Sequence, residues 1–170
     1  MNLNLLLPVA AVLHIIEEFI FPGGFMRWYH NFRPEIARSV TSRFLVMINA
    51  ILIVACLLPM VIRNPVYGVA LWLSIAAIFF TNAVFHIRAT LKTKAYSPGT
   101  ITAVLIYLPL SFYGYWTFIA NGQASVGTAI SSFIIGASYY WFSLFNHFRR
   151  SKQLKAEVPA KNDRGTSVEN

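Results

Sequence analysis

The sequence predicts an all-α, polytopic membrane protein: a bundle of five transmembrane helices with its amino terminus outside and its carboxyl terminus inside. Two properties lead there. Apolar residues fill 56% of the 170 positions and charged ones only 12%, against about a quarter charged in soluble domains. The apolar residues also fall into runs close to the roughly 20 residues that a helix needs to cross about 30 Å of hydrocarbon. Five such runs with short connections make one domain, residues 1–150. A basic and polar cytoplasmic tail follows, residues 151–170, expected to be disordered from about Val158.

The first run, about Leu3–Phe21, stops at Pro22-Gly23-Gly24, a sequence that does not easily continue a helix. It lacks a basic leader and a small-residue cleavage site, so it reads as a retained helix. The stretch from Phe25 to Arg43 carries four arginines, Glu35 and the interfacial set Trp28, Tyr29 and His30; Ile36–Arg43 is expected to begin the next helix or to lie along the surface. The second span is about Phe44–Ile62 and the third about Val66–Ile87, with Arg88, Lys92 and Lys94 beyond it. Tyr96-Ser97-Pro98-Gly99-Thr100 makes a turn, its proline placed to start a helix. The fourth span is about Ile101–Ile119 and the fifth about Val126–Phe148.

Lys and Arg assign the topology. The first and third loops and the tail are basic, while the amino terminus and the fourth loop carry no charged side chain. The positive-inside rule then gives N-out and C-in, consistent with an odd number of spans. The formal charge of +8 is explained by these loops and by anionic headgroups, so nucleic acid is not an expected partner. Cys56 is the single cysteine, which excludes an intrachain disulfide.

The chemistry concentrates at Leu13-His14-Ile15-Ile16-Glu17-Glu18-Phe19. Glu17 and Glu18 are two of six acids, and the only two inside an apolar run. A charge at lipid depth costs roughly 2.5–3.5 kcal/mol on insertion scales, so such residues are read as functional first. At about 100° per residue, His14, Glu18 and Glu17 share a face about 100° wide with Ala10 and Ala11. Asn82 and His86, four apart, stack on one face of the third span. Ser42, Asn49 and Cys56 make a stripe on the second, Thr100, Tyr107, Ser111 and Gly114 on the fourth, and Ser132, Gly136, Tyr139, Ser143, Asn146 and His147 on the fifth. The bundle should turn these stripes inward. The derived topology places Asn82 at a depth similar to Glu17, His86 about 6 Å deeper toward the cytoplasm at 1.5 Å per residue, and all four histidines toward the cytoplasmic side. A single site opening there is expected.

Three local patterns then occur in order: His14-x-x-Glu17-Glu18, Asn82-Ala83-x-x-His86, and Tyr96-x-Pro98-Gly99-x-x-Thr102. Together they resemble the HXXEE family of small integral membrane proteins, over about Leu3–Tyr107 at least. The family is named for its motif and has no settled activity. The resemblance therefore implies which residues matter, His14, Glu17, Glu18, Asn82, His86, Tyr96, Pro98, Gly99 and Thr102, and not a reaction.

The leading expectation is a divalent metal, zinc or iron, on His14, Glu18 (or Glu17) and His86, with Asn82 as a donor to the ligands or a substrate binder. Helix bundles build metal sites from such inward-facing ligands, and a catalytic zinc site commonly keeps three protein ligands and an open position. Glu17 is expected as the general base, with Asn82 and Tyr96 completing the catalytic set. The corresponding function is a metal-assisted enzyme, hydrolase-like or isomerase-like, on a lipid or amphipathic substrate near the cytoplasmic leaflet of a plasma membrane. A metal-free acid–base site of the sterol-isomerase kind is a variant of it. A proton- or cation-linked transporter is the alternative, although the chain shows no inverted repeat and no paired broken helices. A non-catalytic interaction protein is the third. Packing alone accounts for single Asn, Ser and Thr residues, but not for two adjacent acids at lipid depth. His30 and His147 are expected at the membrane interface rather than among the ligands, and Cys56 in the core. Oligomeric state is left open.

Overall fold

The computed structural model describes the backbone of residues 3–165 and the side chains of residues 3–155. All regular structure among them is helical. Helix α1 (Leu3–Phe19) gives way to Pro22-Gly23-Gly24, where both glycines take positive φ and the Gly23 N–H donates to the Glu17 carbonyl at 3.0 Å. The expected loop then holds a short helix, α2 (Phe25–Phe32), and a 3-10 turn at Ala37–Ser39. Helix α3 (Ser42–Val61) starts under a Thr41 cap whose hydroxyl accepts from the Phe44 N–H. Helix α4 (Pro65–Thr93) is capped by Asn64, which accepts from the Val66 and Tyr67 N–H groups, with proline in the first turn. A short α5 (Thr100–Thr102), a π-helical stretch (Ala103–Tyr107) and α6 (Leu108–Ala120) form one continuous helix. Helix α7 runs from Val126 to Gly165.

Two boundaries differ from the hydropathy reading. Helix α4 continues six residues beyond Ile87, because Arg88 and Lys92 end an apolar run without ending a helix. The stop is at Lys94, whose φ of 52° is left-handed. The fourth apolar run contains a π turn just before Pro109, which has no N–H to offer the ladder. Helix α7 continues beyond Phe148 as well. Residues 166–170 and the side chains from 156 onward lie outside the described residues; of the stretch expected to be disordered from about Val158, the backbone of residues 158–165 is described and belongs to α7.

Helix α4 is the central element: it touches α1, α3, α6 and α7, and Trp72, Leu73, Ala76, Ala77, Phe79, Ala83 and His86 along it are fully buried. Small residues let the neighbours close in. A Cβ on Gly136 of α7 would lie 2.1 Å from the Ser74 carbonyl oxygen, and one on Gly114 of α6 would lie 1.9 Å from the Trp72 ring. Interhelical hydrogen bonds add direction. The Trp72 indole donates to the Leu3 carbonyl at 3.2 Å, Ser111 to Ala76 at 2.8 Å, and Tyr115 to Leu73 at 3.1 Å. Of the polar stripes, His14, Glu17, Glu18, Cys56, His86, Tyr107, Ser111, Ser132 and His147 are buried.

The outer surface is apolar where a soluble bundle would be polar. Val46, Ile51 and Val54 on α3, Phe112 and Trp116 on α6, and Ile134, Trp141 and Phe145 on α7 are all exposed. Three helices among the described residues are long and apolar enough to cross a membrane: Ser42–Val61, Pro65–Thr93 and Thr100–Ala120. Helix α1, with 17 residues, is about 26 Å long at 1.5 Å per residue, slightly short of an average hydrocarbon core.

The close α4–α7 approach gives a direct check. Replacing Gly136 by alanine forces a methyl group against the Ser74 carbonyl, and overpacking of this kind costs about 1–3 kcal/mol. Gly136→Ala should lower the thermal unfolding midpoint in detergent, whereas Gly127→Ala, where a Cβ has open space apart from the Ser125 hydroxyl at 3.7 Å, should not.

Candidate metal centre

Helix periodicity on α1 puts His14 and Glu18 on one face, and α4 brings His86 to it. The Nε2 atom of His14 lies 3.4 Å from Glu18 Oε1, and the Nε2 atom of His86 lies 3.2 Å from the same oxygen. The two imidazoles meet edge to face with centroids 5.1 Å apart. All three side chains are buried. Both Nε2 atoms are buried without a hydrogen-bond partner. Ligand atoms of the three residues lie within 4.8 Å of one another, close enough to hold one ion.

The spacing fits a metal's ligand shell. Tetrahedral zinc with bonds near 2.0–2.1 Å separates its ligand atoms by about 3.3 Å, and both nitrogen–oxygen distances fall beside that value. A buried nitrogen with no partner at all costs about 1–3 kcal/mol, and here the Glu18 carboxylate gives each nitrogen only an ion-pair contact. Two of them converging on one carboxylate is a donor set that a divalent cation completes.

The ring positions are set from the turn between α4 and α5. Ser97, Pro98 and Gly99 are buried, with Gly99 at φ 102°. Ser97 Oγ meets His86 Nδ1 at 3.0 Å, and Thr102 Oγ1 meets His14 Nδ1 at 2.8 Å. Each imidazole is thus held by a hydroxyl on its far nitrogen, the arrangement that orients metal-ligating histidines. Gly99 fits between them: a Cβ there would lie 2.7 Å from His86 Cε1 and 2.8 Å from His14 Cε1. Tyr107, carried inward by the π turn, lies 4.4 Å from the His14 ring on one side and stacks at 3.9 Å on Phe79 on the other.

Glu17 faces a different set of partners. It accepts from the Ile101 N–H at 2.9 Å and the Thr102 N–H at 2.6 Å, and from the hydroxyls of Thr102 and Tyr96. Both oxygens are occupied, so Glu17 would have to give up one of these bonds to act as the general base expected of it. Burial, and then the bond to Glu17, hold the Tyr96 phenol well above its ordinary ionisation range, so it stays a donor. Asn82 stands outside the three-residue cluster; its side-chain oxygen is buried and unpaired.

Asn82 and Glu18 share the wall of a cavity of about 360 Å³. Its lining is largely apolar, from Phe19 and Phe25 through Leu45, Ile48, Leu52 and Ala55 to Ile78 and Phe85, with Tyr29, Tyr140, Ser143 and His147 among the polar members. Burial pushes the Tyr29 phenol up to about 12, keeping it neutral. The four histidines do not form one site. His30 Nε2 bonds the Val40 carbonyl at 2.8 Å and shapes the first loop. His147 bonds Ser39 at 2.8 Å and reaches the cavity rather than the metal cluster. Periodicity did not single out Ser97 as a partner of His86, nor Tyr107 as the floor beneath His14; the signal for the latter was Pro109, which places the irregular turn.

These features define an all-α protein with membrane-length helices and a buried cluster of two histidines and one carboxylate. Residues 5–114 match the family described as "Protein of unknown function with HXXEE motif", and the chain belongs to it. No curated protein and no solved structure matches the chain.

The glycine between the two imidazoles carries a test. Gly99→Ala places a residue with a Cβ at positive φ, costing about 1–3 kcal/mol, and pushes both rings. The variant should unfold at clearly lower temperature or denaturant than wild type; equal stability contradicts the described turn.

Proposed function

We propose that this chain is a five-span membrane enzyme, N-out and C-in, in which His14, Glu18 and His86 hold a divalent metal, zinc or iron. It acts on an amphipathic substrate drawn from the cytoplasmic leaflet of a plasma membrane. One observation carries the reading: two buried, unpartnered imidazole nitrogens lie 3.2 and 3.4 Å from one carboxylate oxygen. Packing alone accounts for it poorly, because each nitrogen has only an ion-pair contact with the shared carboxylate oxygen and no well-aligned hydrogen bond in a water-poor interior.

A metal held by His14, Glu18 and His86 would supply Lewis acidity to an ester-like or carbonyl oxygen. Two histidines and a carboxylate suit zinc and also the open triad of non-haem iron. The chain does the rest. Glu18 lies on the wall shared by the cluster and the cavity, so a substrate in the cavity reaches the site from that side. The Asn82 oxygen accepts a hydrogen bond from a substrate hydroxyl or amide. The Tyr29 phenol, neutral at physiological pH, donates one. Phe25 and Trp28 lie 5.9 and 6.5 Å from the His86 ring, and their aromatic surface excludes water.

Two features support an amphipathic substrate. The cavity wall on α3 from Leu45 to Ala55 is apolar except for Asn49, over about 15 Å of helix. Phe44 at its edge also borders a surface cleft that holds Arg43 and Arg150, where an anionic headgroup finds cationic partners. The lining ends at Ala55 and Ile78, part-way along α3 and α4, which favours chemistry in a pocket over passage across the bundle.

The test is elemental analysis of protein purified without chelator, beside His14→Ala and His86→Ala. Wild type should carry zinc or iron in stoichiometric amount, and each variant should lose it while remaining helical by circular dichroism. Wild type without stoichiometric metal contradicts the proposal, as does either folded variant that retains it.

A further inference from the structure

The hydrogen-bond chain behind His14 has a fixed direction, and that direction comes from Glu17. The Thr102 hydroxyl has one proton and three neighbours: the Glu17 carboxylate at 2.5 Å, the Gly99 carbonyl at 3.3 Å, and His14 Nδ1 at 2.8 Å. The carbonyl accepts only, and so does the Glu17 carboxylate when ionised. The proton therefore goes to one of them, and the shorter contact is to the carboxylate. Toward His14, the Thr102 oxygen is left as an acceptor, so Nδ1 must carry the hydrogen. A neutral His14 then has its lone pair on Nε2, the atom that lies 3.4 Å from Glu18 Oε1.

Glu17 is held in the accepting state by the rest of its shell. Two backbone N–H groups, at Ile101 and Thr102, and the Tyr96 phenol all donate to it. Backbone donors cannot reverse, so each Glu17 oxygen is held by one fixed N–H bond and, with the carboxylate ionised, the hydroxyls of Tyr96 and Thr102 donate as well. No such constraint acts on His86. Its Nδ1 partner, Ser97 Oγ, has no other side-chain bond among the described residues, so that pair can run in either direction.

We propose that Glu17 is a positioning residue: acting through Thr102, it locks His14 in the Nδ1–H tautomer and presents Nε2 as the ligand atom. The two adjacent acids of the motif thus divide the work. Glu18 faces the ion, and Glu17 fixes the proton of the imidazole that shares it. The Glu17–Thr102–His14 chain does what a carboxylate bonded directly to a metal-ligating histidine does elsewhere, with a hydroxyl interposed. The consequence for metal affinity rests on the function proposed above. The position of the proton does not, because it is a property of the metal-free chain.

The experiment is 15N NMR of metal-free protein labelled at histidine, recorded in the alkaline range where imidazoles are neutral, with His14→Ala used to assign the resonance. Wild-type His14 should show a protonated Nδ1 and an unprotonated Nε2. Thr102→Val should abolish that preference and weaken zinc binding about 10–100-fold, while Thr102→Ser, which keeps the hydroxyl, should restore both. The His86 resonance should not move in either variant. A proton on Nε2 in wild type overturns the proposal, as does Thr102→Val with an unchanged His14 signal and unchanged affinity. Should Thr102→Val fail to fold, the wild-type tautomer and the Thr102→Ser protein still decide. A wild type with the expected tautomer but no zinc binding contradicts the metal centre and leaves the tautomer assignment standing.

Discussion

A carboxylate from α1 is received by the first turn of the helix that starts at Thr100. The Ile101 and Thr102 N–H groups are two that a helix leaves without an internal partner, and Glu17 satisfies both. Helix N-termini favour negative charge, so the acid and the helix end stabilise one another where water is scarce. The same bond ties α1 to the α4–α5 turn. It acts with the Thr102–His14 and Ser97–His86 bonds to hold the turn against the imidazoles.

Seen from that anchor, the three sequence patterns are parts of one arrangement. Glu17 of the first pattern is held by Tyr96 and Thr102 of the third. Thr102 holds His14 of the first, and Ser97, inside the third, holds His86 of the second. Pro98 shapes the turn, and Gly99 fills the narrow space between the rings, where no side chain fits. Asn82 alone stays outside this mesh, on the wall of the apolar cavity, which suits a residue that meets a ligand.

Much of this could be read in the residues. Composition and the lengths of the apolar runs announced helices fit for a membrane, and a period near 3.6 put His14 and Glu18 on one face of α1. Depth, inferred only from Lys and Arg, put Asn82 level with Glu17 and His86 about one turn deeper, yet it is His86 that meets Glu18. What periodicity cannot supply is the rotation of a loop hydroxyl or the direction of a carboxylate. Glu17 and Glu18 are neighbours with the same chemistry, and only the packed turn separates their partners. Ser97 looks like any residue of a Ser-Pro-Gly turn until that turn is found buried. His30 and His147 share the predicted side with His14 and His86, but side alone fixes neither rotation nor reach, and each is taken up by its own local bond. The end of α4 was misjudged because hydropathy measures where lipid contact stops, while a helix continues until its backbone turns, here at Lys94.

The account stands on His14, Glu18 and His86 sharing one ion, and the environment of that ion reports on it most directly. X-ray absorption spectra of the zinc-loaded protein in detergent should show a first shell of nitrogen and oxygen at about 2.0–2.2 Å, with outer-shell scattering from two imidazoles. Sulfur in the first shell, or scattering from fewer than two imidazoles, would contradict it.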